Sequence, residues 1–215
     1  MEKLQQEKLF INLQKYTFMQ EELVYLGFVI SKEGLKMDQE KVKAIMEWSF
    51  HKNVFEVSSF HGLASFYMKF IRNFSYINGP MLETIRKDKQ PFVWTKEAKK
   101  SFQWLKKKVS EQPVLMLPNF NKTFQVRCDA SGIAIGAVLS HDDRPIAYFS
   151  EKLNEAKHKY TSYDQEFYAI VQALKKWRHY LMSGEFVLYT DNHALQYIMQ
   201  QPKLNRKHSK WVEYL

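Results

Sequence analysis

The chain has 215 residues, 45% of them hydrophobic and 26% charged, with a formal net charge of +9 from 32 Lys and Arg against 23 Asp and Glu. That length fits one large domain or two small ones, and the composition fits a soluble globular protein. The single cysteine, Cys128, excludes an intrachain disulfide and a Cys-rich zinc site. No apolar run reaches the roughly 18 residues of a membrane span. The opening Met1-Glu2-Lys3 lacks the apolar stretch of a signal peptide, so an intracellular setting is expected. The basic excess fits a polyanionic partner such as nucleic acid, and it equally fits lysine-rich solubility.

Leu23 to Ile30 is rich in β-formers, Gly34 permits a tight turn, and Leu35 to Met37 resumes, which reads as a hairpin. Asp38 is placed to cap a short helix running through Trp48, with Val42 and Ile45 inward. Asn53 and Glu56 resemble a capping box, and the helix they open carries Val57, Phe60, Ala64, Tyr67 and Ile71 at helical spacing. Gly79-Pro80 marks a break. Thr95 caps a third helix with Ala98, Phe102, Leu105 and Val109 as its buried stripe. Its other faces carry Lys96, Lys99, Lys100, Lys106, Lys107 and Lys108.

The pattern changes after Pro118. Phe124, Val126 and Cys128 alternate with polar residues as in a strand, and Ile133 to Ser140 and Pro145 to Ser150 read as two more. Tyr160 to Leu181 is the strongest helix, with Tyr163, Phe167, Ile170, Leu174, Trp177 and Leu181 along one face. Gly184 ends it, Glu185 to Thr190 is a fourth strand, and Asn192 to Met199 a short helix. The boundary falls within Gln112 to Asn121, dividing 1–111 from 112–215. The second part is α/β, and a right-handed crossover places its fourth strand parallel to its first.

Three acids follow from that topology. Asp129 ends the first of these strands and Asp191 the fourth, so parallel pairing brings both to one sheet edge, where α/β sheets hold their sites. Glu166 lies beside the apolar stripe of the long helix, where a carboxylate needs a partner. A shared divalent cation would supply one, since Mg²⁺ prefers oxygen ligands and two ions about 4 Å apart can clamp a phosphoryl displacement. Taken singly, each Asp also fits a turn former, and Asp191 a helix cap. His193 could assist proton transfer or simply lie on the surface.

At these acids the sequence resembles a known family. Residues 128–140, Cys-Asp-Ala-Ser-Gly-Ile-Ala-Ile-Gly-Ala-Val-Leu-Ser, are similar to the first-strand motif of RNase H domains from Ty3/gypsy-type long-terminal-repeat retrotransposons. Pro-Ile-Ala-Tyr-Phe-Ser (145–150), Tyr-Asp-Gln-Glu-Phe-Tyr-Ala-Ile (163–170), Arg-His-Tyr-Leu (178–181) and Tyr-Thr-Asp-Asn-His-Ala-Leu (189–195) follow in the family's order. Upstream, residues 25–31 resemble the hairpin that holds the primer end in reverse transcriptases, and residues 59–71 resemble their thumb helix. Phe-Val-Trp-Thr (92–95) is similar to the opening of the connecting segment.

The resemblance implies a piece of a Pol polyprotein. Its fold would be an RNase H-like mixed sheet with helices, preceded by a mostly α thumb and connection segment bearing a β-hairpin. It implies that Asp129, Glu166 and Asp191 bind metal and catalyse, with two Mg²⁺ or Mn²⁺ ions, Asp129 bridging. It implies nucleic-acid contacts at Leu26, Gly27, Lys69 and Arg72. The expected partners are an RNA–DNA hybrid or template–primer duplex and the rest of the polyprotein, with no membrane. The family's two-aspartate polymerase motif has no counterpart, because no Asp precedes Asp38. The family's later acidic residue is also missing, since Glu213 is the one acid after Asp191. The implied activity is hydrolysis of RNA in hybrids, and the alternative is a catalytically inactive, nucleic-acid-binding remnant. The lysine-rich helix and the tail from Lys203 to Lys210 are candidates to follow the phosphates.

Overall fold

The computed structural model describes residues 19–50, 53–86, 92–192, 195 and 206–212, with residues 3, 6 and 7. The first strands are β1 (Glu22–Tyr25), β2 (Phe28–Ser31) and β3 (Gly34–Met37), paired antiparallel in that order. The continuous strand expected from Leu23 to Ile30 is therefore two strands. Leu26 and Gly27 between them both take positive φ, 49° and 78°. Two such residues in a row make the tight turn that suits the strand twist. Tertiary contacts fix it, for the Tyr67 hydroxyl donates to the Gly27 carbonyl at 2.8 Å.

Helix α1 (Gln39–Glu47) is capped by the Asp38 side chain, and α2 (Val54–Phe66) by Asn53, which accepts from the Glu56 N–H at 2.9 Å. The helix expected through Ile71 stops earlier. After Phe66 the chain tightens into a 3₁₀ turn, Met68–Phe70, while Tyr67 and Ile71 stay buried. The apolar spacing marks the inward positions correctly, but short i→i+3 bonds replace the helical ones. A further helix, α3 (Phe74–Glu83), runs through Gly79 and Pro80, where a break was expected. Proline's fixed φ suits a helix, though its ring forgoes one N–H bond and crowds the carbonyl one turn back. Burial of Ile77, Asn78, Gly79 and Met81 on α3 offsets that loss. Helix α4 (Lys96–Ser110) is capped by Thr95 and buries Ala98, Ser101, Phe102, Leu105 and Val109.

The second sheet has the order β6-β5-β4-β7, with β4 (Phe124–Ala130), β5 (Ala134–His141), β6 (Arg144–Lys152) and β7 (Phe186–Tyr189). Strands β4 and β7 are parallel and the other pairs antiparallel, as the crossover argument requires. Between β6 and β7 lie α5 (Glu155–His158) and α6 (Ser162–Leu181), the latter capped by Thr161. Phe167, Ile170, Leu174, Trp177 and Leu181 of α6 bury against Phe124, Val126 and Cys128 of β4. Helix α7 (Arg206–Val212) packs Trp211 against Phe167. No described helix is long and apolar enough to cross a membrane.

Two hydrophobic clusters result. The first, from Met37 to Leu115, is rich in aromatics, and the second gathers around α6 and its sheet. Leu35 and Leu115 exchange backbone hydrogen bonds at 2.7 and 2.9 Å, so β3 anchors the connecting segment. Helix α3 and the 3₁₀ turn pack against β6, opposite α6, and the sheet becomes a middle layer.

Candidate active site

The register of β4 and β7 sets the site. Arg127 pairs with Tyr189 at the last recorded step. Continuing both chains by two residues brings Asp129 level with Asp191 at the carboxyl ends of the strands. Asp129 is exposed and lies on the sheet face away from α6, since its neighbour Cys128 points into the α6 core. Asp191 is exposed, just past β7. Glu166 projects from the first turns of α6, half-buried, toward the end of β4.

One Glu166 oxygen takes the Ala130 N–H, while the other, Oε2, is buried with no hydrogen-bond partner among the described residues. Burial first, and then the charge of Asp129, push the Glu166 carboxyl up to about 7; the Ala130 bond opposes this and Asp191 adds a smaller push. Burial, followed by the charges of Glu166 and Asp129, also raises the Cys128 thiol. Negative charge thus converges on the end of β4. The three acids share this edge, yet no group of three His, Cys, Asp or Glu among the described residues stands close enough, as it is, to enclose a metal ion. Asp129 and Glu166 form the tighter pair. Asp191 lies beyond the last strand pairing, so no ladder bond fixes it.

Asp129 lines a cavity of about 380 Å³ together with Arg72, Asn73, Arg127, Gly136 and Tyr148. The expected nucleic-acid residues divide into two places. Leu26 is 70% exposed at the hairpin turn, Gly27 packs against Tyr67, and Lys69 lies 3.8 Å from the Phe28 ring centre. Arg72 instead faces the cavity of Asp129. Sequence reading missed Asn73 and Tyr148 in that wall, and neither carries a local signal. It also missed Asp164, which accepts from Lys207 and His208 at 2.7 and 2.6 Å and so binds α7 to α6. Lys207 of the basic tail is thereby committed to Asp164. His193, the short helix expected over 192–199 (beyond Asn192 and Leu195), Lys203 and Glu213 lie outside the described residues.

Comparison with known proteins agrees with this architecture. Residues 94–188 match the family described as an RNase H-like domain found in reverse transcriptase. The chain is 34% identical over 209 residues to the Pol polyprotein of transposon 297 of Drosophila melanogaster, covering 97% of this chain and 20% of that protein. It is 36% identical over 217 residues to the gypsy Pol polyprotein of the same fly, covering 95% and 21%. With the Tf2-3 polyprotein of Schizosaccharomyces pombe it shares 32% identity over 224 residues, covering 100% and 17%. The chain therefore spans about a fifth of the length of these relatives. A foamy viral protease-reverse transcriptase, dRH form in complex with ds DNA, superposes with a TM-score of 0.84 at 22% identity, over 99% of this chain and 39% of that one. The same viral protein in complex with RNA/DNA hybrid gives 0.79 at 21%, over 94% and 29%.

Fold and family match together define an RNase H-like domain of the reverse-transcriptase kind, carried behind a helical unit with a hairpin. The helical unit has its own counterpart in the relatives, whose similarity runs through it. The chain carries an RNase H-like domain of reverse transcriptase, and its relatives along nearly its whole length are the Pol polyproteins of Ty3/gypsy-type long-terminal-repeat retrotransposons.

Proposed function

We propose that this chain carries a divalent-metal-dependent nuclease site that hydrolyses the RNA strand of RNA–DNA hybrids. The observation that carries the reading is Glu166: a half-buried carboxyl raised to about 7, with one buried oxygen lacking a hydrogen-bond partner among the described residues, beside two further acids. An all-oxygen donor set of this kind suits Mg²⁺ or Mn²⁺. Asp129, Glu166 and Asp191 would hold the cation, or a pair of them, with Asp129 between the other two acids. A cation bound there supplies Lewis acidity and makes its water a nucleophile near neutral pH. Glu166, freed of its proton, contributes charge to that binding, and the Ala130 N–H orients its other oxygen. Tyr148 and Arg127 line the space in which the substrate backbone would lie.

A duplex substrate fits the net charge of +9 and the nucleic-acid complexes of the structural neighbours. The buried free thiol of Cys128 suits an intracellular setting. The open arrangement of the three acids favours one second reading, a hybrid-binding remnant without catalysis.

Purified protein incubated with end-labelled RNA annealed to DNA, in Mg²⁺ and separately in Mn²⁺, tests the choice. Metal-dependent RNA fragments that fall to background in Asp129→Asn are expected. Fragments undiminished in that variant would refute the assignment. Tight hybrid binding with no cleavage in either metal would establish the remnant.

A further inference from the structure

The cavity around Asp129 is built from both halves of the chain. The sheet supplies Arg127 and Asp129 of β4, Gly136 of β5 and Tyr148 of β6. The facing wall is Arg72 and Asn73, in the link between the 3₁₀ turn and α3. That link is bolted to the sheet. The Ser75 N–H donates to Ser150 Oγ at 2.8 Å, and the Ser75 hydroxyl donates to the Ser150 carbonyl at 2.9 Å. Asn73 Oδ1 rests over Gly136, where an added Cβ would stand 3.2 Å away. Gly136 is the register partner of Asp129, so the upstream link sits directly beside the acid. Phe70, Ile71 and Phe74 on either side are buried in the aromatic core and hold the link from behind.

The two arginines of this cavity differ. Arg127 donates to Asp143 at 2.6 Å and stacks on the Tyr189 ring at 4.5 Å. Arg72 is exposed and has no ion pair with Asp129 or with any other described residue. Its charge is felt at the Tyr148 hydroxyl across the same cavity. A guanidinium without an ion pair among the described residues and a carboxylate therefore face one space without closing it. A phosphodiester fits such a gap, because guanidinium binds phosphate oxygens in a bidentate fork.

We infer that Arg72 is a phosphate-binding residue of the nuclease site, gripping the substrate backbone beside the phosphate presented to Asp129. The site is then complete only with the upstream unit docked on the sheet, and Asn73 and Gly136 act as positioning residues that set the reach of Arg72. This inference rests on the proposed hydrolysis for its meaning, but it has its own readout.

The test uses the whole chain and a fluorescently labelled RNA–DNA hybrid, with anisotropy measured across a salt series in EDTA. Arg72→Ala should weaken binding about tenfold at low salt and reduce the slope of log affinity against log salt by about one. Arg72→Lys should restore the slope and only part of the affinity, since an ammonium lacks the fork. Melting temperature should not move in either variant, because Arg72 is exposed. A slope unchanged in Arg72→Ala, or not restored by Arg72→Lys, overturns the inference. Asp129→Asn, measured alongside, should keep the wild-type slope and lose cleavage. If it cleaves normally, the hydrolytic reading fails, while the phosphate contact of Arg72 is still judged by its slope.

Discussion

The helical unit and the sheet unit each bury an oxygen that no described group hydrogen-bonds, Asn78 Oδ1 in the first and Glu166 Oε2 in the second. Asn78 is a neutral amide whose Nδ2 lies 2.7 Å from His61 Nδ1, so the loss is confined to one acceptor, about 1–3 kcal/mol. Glu166 is an ionisable carboxyl that also faces the charges of Asp129 and Asp191. Side-chain caps satisfy most of the described helix N-termini, through Asp38, Asn53 and Thr95 in one unit and Asn154 and Thr161 in the other, while α3 has none at Asn73. The contrast teaches where stability has been given up. The unpaired Asn78 oxygen is incidental to a packed aromatic core, whereas the unpaired Glu166 oxygen stands among like charges at a strand edge, which packing does not explain.

Removing a core ring breaks the helical side of this contrast most severely. Phe102 is 2% exposed and meets the rings of Phe50, Phe60 and Trp94. Phe102→Ala should cost about 3–5 kcal/mol, read as a lower midpoint in urea. A single shifted transition is expected, because the Leu35–Leu115 and Ser75–Ser150 bonds tie the units together. A loss below about 1 kcal/mol would mean that this core is not the one that holds the unit.

The sheet side is sharpened by pH. The Glu166 carboxyl is raised from its ordinary 4.5 to about 7, so the folded state takes up its proton more readily than the unfolded chain. Its contribution to stability is full below about 4.5 and is lost as pH rises through about 7. In EDTA, Glu166→Gln should therefore stabilise the protein at pH 8 by about 2 kcal/mol, discounted for the carboxyl's partial exposure, and should change little at pH 4. Denaturant titrations at the two pH values check this, and an equal effect at both would show that no proton is involved.

Local chemistry made much of this fold legible. Asp38, Asn53 and Thr95 announce their helices because capping is a contact within a few residues. The alternation of Phe124, Val126 and Cys128 fixes which face of β4 is inward, and the crossover rule supplies the parallel partner β7. The common edge of Asp129, Glu166 and Asp191 follows from those two facts. What the sequence hides is set at a distance. The Leu26-Gly27 turn interrupts a run of good β-formers, and its carbonyl is bound by Tyr67, forty residues away. Pro80 looks like a helix breaker until the buried face of α3 is seen. Arg72 directly follows the thumb-like stretch 59–71 in sequence, yet the Ser75–Ser150 bonds turn its link onto the nuclease sheet. How far Asp191 stands from a closed metal site also lies beyond any spacing rule, because it depends on backbone past the last ladder bond.

The direct measurement is the melting temperature at pH 8 as MgCl₂ or MnCl₂ is added, for wild type, Asp129→Asn and Glu166→Gln. A cation that binds only the folded state raises the melting temperature with its concentration. Wild type should show that rise, larger than any change in buffer free of divalent cations made to equal ionic strength with KCl, and each variant should lose most of it. A rise of the same size in all three proteins, or none in wild type, would contradict a metal site at Asp129, Glu166 and Asp191.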